Sequence, residues 1–464
     1  MYPLRILQVA HSFPPHNTAG TEVYTCNLSC ELAKRHRVFV FYRINDREKN
    51  EFEIVKTEYK GLHIYALNNT FADCGSFEML CDNKIITDKF AGLLDEIKPE
   101  VIHIQHLLFL SIGIIEAAKK KNIPIVFTLN DYWLLCPQGQ LLRNNTNACQ
   151  ENAVSDCVKC MKYQLSLKKG VMGIYRSLRD KFPVFLIQMI KNIYFAYARL
   201  SFLSKEEEKK QIELRERRIK QACAMVDIFL APSRFIREKF TDFGIPQHKI
   251  IISPYGLNTL YFNKIEKKEQ RGKIRFAFIG TFLPAKGAHV LISAFNRMRR
   301  RNAELKIYGS ERLYKGFEYY LKFIKKTGRN KNIHFMGGYK NEDIGSIFSE
   351  VDVLVVPSIW YENAPLVIQE AFLAKTPVIA SRIGGIPELV IDGVNGLLFN
   401  PADIQDLTEK IGYVIDNPEV INEFKKNMPS VKSIEINAGE MEEIYVRLIA
   451  RSNAFNAAYQ GLTH

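Results

Sequence analysis

The sequence lacks an apolar run that would cross a bilayer unbroken. A spanning helix needs about 20 consecutive apolar residues. The stretch that comes nearest, Phe182–Leu203, is interrupted by Lys191 near its middle and by Arg199. A charge at that depth is costly in hydrocarbon, so this segment is expected to pack on the protein or lie in a membrane interface. Met1–Ala10 lacks the charged region, apolar stretch and small-residue cleavage site of a secretory leader, and instead reads as a strand (LRILQVA). The expectation is a chain that stays in the cytosol. Nine cysteines in a reducing compartment then argue against a disulfide framework. No G-x-G-x-x-G follows either leading strand; the turns there read HSFPPHNTAG and GTFLPAKG. Their absence disfavours a dehydrogenase with two dinucleotide domains.

What is present describes a folded protein. Hydrophobic residues make up 47% and charged residues 25%, outside the disordered and all-membrane ranges. At 464 residues the chain exceeds one ordinary core, so two domains plus an insertion are expected. The net charge is +14, and Lys159–Lys220 holds 16 Lys/Arg against 6 Asp/Glu. Such runs are often solvated helix faces. The sharper reading is contact with anionic lipid headgroups or a phosphorylated acceptor. No nucleic-acid motif accompanies the charge.

Short apolar runs alternate with amphipathic segments in both halves. Strands are expected at Leu4–Ala10, Arg37–Tyr42, Val101–Gln105 and Ile125–Leu129, and again at Lys273–Ile279, Glu304–Tyr308, Asn332–Phe335, Val353–Val356, Pro377–Ala380 and Gly396–Phe399. Helices are expected between them, with a final one at about Ser433–Arg451 that packs back on either domain. This grammar predicts an α/β protein with two doubly wound parallel sheets, whose ligand site lies where the carboxyl ends of both sheets meet. The expected division is 1–235, carrying an insertion at 130–220, then 236–430, then a C-terminal helix over 431–464.

The most informative segment is Pro357–Glu370, PSIWYENAPLVIQE. Seven residues separate Glu362 from Glu370. Glu362 sits in a loop before a helix that begins near Ala364, with Pro365 in its first turn, and Glu370 lies about two turns in. Amides at the helix start suit an anion. Glu362 suits sugar hydroxyls, and Glu370 suits a vicinal ribose diol.

This segment resembles the E-x7-E signature of glycosyltransferase family 4, a group of retaining enzymes with the GT-B fold: two Rossmann-like domains facing across a cleft. The resemblance covers most of the chain. Gly280–Gly287 resembles the family's glycine–lysine loop, which implies that Lys286 contacts the donor pyrophosphate. Thr281 stands where the family often has Arg, so one positive contact is missing or supplied elsewhere. Gly309 resembles the glycine turn before the next helix, and Gly384, Gly385, Pro387 and Glu388 match a GG-x-PE segment. Ala19–Gly20–Thr21–Glu22 resembles the family's Gly-Gly loop, with Gly20 keeping the close backbone approach. PIVFTLNDYWLLCP resembles the segment ending His-Asp-Tyr-Trp, with Asn130 at the histidine position. Asparagine hydrogen-bonds but cannot carry a proton. His103 and His106 lie nearby, where structural roles are the commoner outcome, and Asp131 is expected to orient the loop.

Cys136, Cys149, Cys157 and Cys160 fall within 25 residues and end in C-x2-C. They suggest a tetrahedral structural zinc, set against four unrelated thiols. Some relatives carry a similar cysteine insertion, which implies membership of that subgroup. No Asp-x-Asp motif is present, so no catalytic metal is expected. The resemblance implies sugar transfer from a nucleotide-sugar donor to a glycan or lipid-linked acceptor. Donor contacts are expected from Gly20, Lys286, Glu362, Asn363, Ala364, Pro365 and Glu370, and the catalytic set is Glu362, Lys286 and Asn130. A nucleotide-sugar epimerase of the same fold and a non-catalytic binding subunit are the alternatives.

Overall fold

The computed structural model describes residues 2–143, 147–149, 154–165, 186, 189, 205–262, 272–298, 302–312 and 317–461. The apolar stretch Phe182–Leu203 lies outside the described residues except for Leu186 and Met189, as does most of the basic segment between 166 and 204. Among the described residues no helix is long and apolar enough to cross a membrane.

The first lobe is built on β1 (Arg5–Ala10), β2 (Arg37–Ile44), β3 (Ile54–Tyr59), β4 (Leu62–Asn68), β5 (Val101–Ile104) and β6 (Ile125–Thr128). A small antiparallel hairpin follows, β7 (Leu142–Arg143) with β8 (Asn147–Ala148). The lobe is completed by β9 (Ile228–Ala231) and β10 (Ile250–Ile252). Eight of these strands form one sheet in the order β10-β9-β6-β5-β1-β2-β4-β3. All pairings are parallel except β3–β4. Strands β5 and β6 are buried at every position, as expected when helices cover both faces. The antiparallel edge was not read from the sequence, because IVKTEY is half exposed and has no apolar run. Its signal was the turn: Lys60 (φ 51°) and Gly61 (φ 78°) are both left-handed, the backbone a two-residue hairpin turn requires.

The second lobe holds β11 (Ile274–Ile279), β12 (Ala303–Tyr308), β13 (Ile333–Gly337), β14 (Val353–Val356), β15 (Val378–Ser381) and β16 (Gly396–Phe399) in the order β13-β12-β11-β14-β15-β16, all parallel. Both sheets are therefore doubly wound. Chain order reverses between β1 and β5 in one, and between β11 and β14 in the other.

Two expected boundaries move. The division at 235/236 falls inside the first lobe, because β10 pairs with β9 and carries that sheet to Ile252. The helix after β14 runs Leu366–Leu373, with Pro365 at its N-cap (φ −62°, ψ 120°) rather than within its first turn. Glu370 is then little more than one turn in. The final helix, Ile434–Gly461, leaves the second lobe and joins the first: Ala438, Met441 and Tyr445 pack with Leu4, Ile6 and Tyr24. Tyr24 donates to Asn437 Oδ1 (2.9 Å).

The charged helix Lys205–Met225 is more than a solvated face. Arg215 is buried, donates to the Trp133 carbonyl and sits over the Trp133 ring at 5.3 Å. A charge of this kind is tolerated because both its hydrogen bond and a ring face compensate lost water.

Candidate functional site

The site residues of the second lobe lie beyond the carboxyl ends of β11 and β14, at the switch point where doubly wound sheets bind ligands. The loop after β11 brings Lys286; the loop after β14 brings Ser358, Trp360 and Glu362. Lys286 Nζ stands 2.7 Å from Glu362 Oε1 and 5.0 Å from the centre of the Trp360 ring. Ser358 Oγ donates to the same Glu362 oxygen at 2.6 Å. The two loops fit because Gly287 has φ 74° and a Cβ there would sit 1.7 Å from the Pro357 carbonyl oxygen. The expected lysine and first glutamate are thus brought together.

The GG-x-PE segment supports that loop from behind. Gly385 N–H donates to the Glu362 carbonyl (2.8 Å), and a Cβ on Gly385 would lie 1.8 Å from the Asn363 oxygen. Glu388 reaches the first lobe, where its carboxylate accepts from the amides of Arg234 (2.8 Å) and Phe235 (2.7 Å) at the start of helix Arg234–Phe243. Asn363 also crosses: its amide donates to the Leu129 carbonyl (2.9 Å) and its oxygen accepts from Ser233 Oγ (3.0 Å). The Asn363 side chain is therefore a pin between lobes, and only its backbone is left for a donor. Gly20 begins the helix Gly20–Leu32, and a Cβ there would lie 3.6 Å from Leu366 Cδ1. The two helix starts face one another, with Ala364 and Pro365 just before the second. Glu370 is farther along that helix, beside Tyr339. Burial pushes its carboxyl up to about 7, and its charge in turn helps raise the Tyr339 phenol, which burial raises most.

Asn130 is placed differently from a sugar-holding group. Its amide donates to the Gln105 carbonyl (2.8 Å) and to Gln105 Oε1 (3.2 Å), and its oxygen accepts from Tyr255 (2.6 Å). His103 is fully buried between Tyr445 (2.6 Å) and Thr128 (2.7 Å). Burial lowers its imidazole to about 3, so it is a neutral core histidine. His106 Nε2 meets Asp131 Oδ2 at 2.6 Å, and its Nδ1 accepts from the Leu108 amide at 2.8 Å. Asp131 does orient its loop, accepting from the Trp133 amide (2.8 Å). Missed altogether were Ser358, whose place in PSIWYE was its only signal, and His11, which directly follows the first strand. His11 Nε2 lies 3.1 Å from Glu22 Oε1.

Cys136, Cys149, Cys157 and Cys160 line one small cavity together with Arg143 and Asp156. None of the nine cysteines forms a disulfide. Among the described residues, no three His, Cys, Asp or Glu side chains are grouped so as to hold a metal ion. The cysteine loop reaches the second lobe: Ala148 and Tyr361 pack against the same core cluster of that lobe, and Cys149 helps raise the Tyr361 phenol, which burial raises most.

Two facing, doubly wound lobes with their sites at opposed switch points are the GT-B architecture. Residues 262–431 match the family described as Glycosyl transferases group 1, and residues 18–154 match Glycosyltransferase Family 4. The two matches support a family 4-type glycosyltransferase. Among curated relatives, an MMP alpha-(1->4)-mannosyltransferase of Mycolicibacterium hassiacum is 27% identical over 249 residues, 52% of this chain and 58% of that protein. A D-inositol 3-phosphate glycosyltransferase of Corynebacterium aurimucosum is 25% identical over 37% of this chain and 44% of its own length. The matched region spans little more than half the length of the first of these relatives. Among solved structures, sucrose-phosphate synthase from Thermosynechococcus elongatus superposes with a TM-score of 0.65 at 18% identity, covering 97% of this chain and 100% of that one. Anabaena HepE in complex with UDP and glucose superposes with a TM-score of 0.63 at 15% identity, covering 95% and 99%. These two likenesses are of fold.

Proposed function

We propose that the protein moves a sugar, with retention of anomeric configuration, from a nucleotide-sugar donor to a glycan or lipid-linked acceptor. The observation that carries this reading is the Lys286–Glu362 pair at the switch point of the second lobe, just ahead of Leu366, which lies against Gly20 at the start of the first lobe's leading helix. HepE, of the same fold, holds UDP and glucose. In this reading the nucleotide lies on the second lobe with its ribose on Glu370. Lys286 and the amides near Gly20 and Asn363–Pro365 neutralise the departing diphosphate, and Glu362 holds the sugar. Lys286 pairs with Glu362, and a bound diphosphate competes with that carboxylate for it. Closure of the lobes limits donor hydrolysis, and catalysis is mostly electrostatic and positional.

The test is a panel of nucleotide sugars with the purified protein, reading diphosphate release and the anomeric configuration of the product. Release with no sugar transferred to any acceptor or water supports an epimerase instead. Binding without turnover on every donor supports a non-catalytic subunit.

In our reading the chain belongs to the subgroup with a cysteine insertion, and the four thiols hold a structural zinc. Sharing one cavity supports this, and thiolates are zinc's preferred structural ligands. Binding requires the thiols to draw closer than they stand. Metal analysis of protein purified without added metal decides it, and four freely reactive thiols there count against zinc. The basic segment supports peripheral attachment at the inner face of a membrane. Unchanged liposome binding after Lys→Glu changes within 159–220 removes that idea.

A further inference from the structure

Helix Glu318–Thr327 joins β12 to the edge strand β13 and lies outside the donor site just described. One residue fixes its phase. Tyr320 is buried, and its hydroxyl meets His289 Nδ1 at 2.8 Å and accepts from the His289 amide at 3.2 Å. Ile324, one turn on, is fully buried in the same core. With 320 and 324 turned inward, positions 319, 322, 323 and 326 form the outward stripe, at the i, i+3, i+4, i+7 spacing of one helix face.

That stripe reads Tyr, Lys, Phe, Lys. Tyr319 is 61% exposed and Phe323 47%, and Lys322 and Lys326 are exposed beside them. Single apolar side chains on a surface are ordinary. Here two aromatic rings stand one turn apart, interleaved with two cations, on a helix whose opposite face already fills the core. The charge around them is of one sign. Glu318–Lys331 holds five Lys/Arg against one Asp/Glu. Lys325 pairs with Glu311 at 2.6 Å. Among the described residues Lys322, Lys326, Arg329 and Lys331 have no carboxylate partner. Asn296 Nδ2 donates to the Thr327 carbonyl (2.9 Å), which brings exposed Arg297, at the end of helix Ala288–Arg297, up to the same patch.

We propose that this face of the second lobe seats on an anionic lipid surface, with the rings of Tyr319 and Phe323 in the headgroup layer and the surrounding cations on lipid phosphates. Charge complementarity selects the anionic surface. The rings select a lipid one. A soluble polyanion uses the cations and leaves the rings in water, whereas a membrane boundary takes both: lysine stems lie along the apolar surface and their ammonium groups reach out to phosphate. A helix that follows a parallel strand starts at that strand's carboxyl end. Tyr319 therefore marks the same end of the lobe as the donor site, and a seated lobe keeps its cleft near the lipid plane. This inference rests on the membrane attachment proposed above, uses residues other than those at 159–220, and does not require sugar transfer.

Sedimentation of the full chain with vesicles of phosphatidylcholine, alone and mixed with phosphatidylglycerol, tests it. Wild type is expected on the mixed vesicles and is released by added salt. Lys322→Gln combined with Lys326→Gln is expected to weaken binding by about 25-fold, since each cation near such a surface contributes about fivefold. Tyr319→Ser combined with Phe323→Ser is expected to weaken it by about tenfold or more. All four positions are exposed and outside the donor site, so both variants should keep the wild-type melting temperature and nucleoside diphosphate affinity in solution. Phe323→Trp reports depth: its emission is expected to shift to the blue, relative to wild type, when mixed vesicles are added. The proposal is overturned if both double variants bind mixed vesicles as wild type does, if only Lys→Glu changes within 159–220 release the protein, or if the Phe323→Trp emission does not move. It is also overturned if the aromatic pair matters as much for soluble dextran sulfate as for vesicles, which marks an acidic glycan as the partner. A wild type that binds no vesicle removes membrane attachment altogether, and the panel of nucleotide sugars then tests the transferase reading separately.

Discussion

Lys286 and Glu362 form a 2.7 Å ion pair across two loops that follow non-adjacent segments of chain, and Ser358 and Trp360 hold the pair from either side. The glutamate side chain is almost fully buried while the lysine is about a third exposed (5% and 29%). The cation is thus the member free to swing, and the anion the fixed one. Lys286→Met is expected to lower kcat by about 10²–10³-fold, the scale seen when one preorganised charge-stabilising group is lost. It also leaves Glu362 buried without its counter-charge, so a lower melting temperature accompanies the kinetic loss. Steady-state kinetics and thermal denaturation on the same preparation check both. A variant with full kcat would place the donor phosphates away from this lysine.

Gly287 decides whether that pair forms at all. Its left-handed backbone and the Pro357 oxygen leave no room for a Cβ. Gly287→Ala is expected to destabilise the second lobe by about 2 kcal/mol or more, since strain and clash add. It should weaken nucleotide binding with it. A urea melt that shows no shift in midpoint would mean the loop has an alternative path. By contrast Gly61→Ala meets open space and is expected to cost only the price of its positive φ.

Much of this was legible in the chain. Buried parallel strands such as Val353–Val356 and Gly396–Phe399 announce themselves as short apolar runs, and E-x7-E located the loop that carries Glu362. What could not be read were contacts between distant segments. Asn363 looked like a donor contact because it lies inside the motif, yet its side chain is consumed by Leu129 and Ser233 in the other lobe. Asn130 is consumed in the same way by Gln105 and Tyr255. His11 went unread because a histidine in a proline-rich loop has no periodicity, and its carboxylate partner is eleven residues away on a helix. The division near 235 failed because β10 is three residues long and joins a sheet whose preceding strand already ended at Ala231.

The C-terminal helix is expected to be a stability element of the first lobe. Tyr445 supplies the hydroxyl that meets His103 Nδ1. Tyr445→Phe leaves that nitrogen unpaired in a site with no solvent, which costs about 1–3 kcal/mol. Chemical denaturation of the variant measures it. A loss under a few tenths of a kcal/mol would mean that water reaches the ring.

Glu370 and His103 impose opposite pH dependences on stability. Glu370 is raised in the folded chain to about 7. Between the ordinary glutamate pKa, about 4.3, and that value, the folded state holds a proton that the unfolded state has released. Stability contributed by Glu370 is therefore full at low pH and falls as pH rises through this window. His103 is lowered to about 3. Between that value and the ordinary imidazole pKa, about 6.5, the unfolded state holds the extra proton, so this contribution rises with pH. Over roughly pH 4.5–6.5 the two oppose and the wild-type melting temperature is expected to change little. Glu370→Gln removes one arm, and its melting temperature should climb steadily from pH 4.5 to 6.5. Melting curves in that range for wild type and variant check the sign. A Glu370→Gln curve parallel to wild type would show that the carboxyl titrates as an ordinary exposed acid, and would remove the buried ribose seat from the donor site.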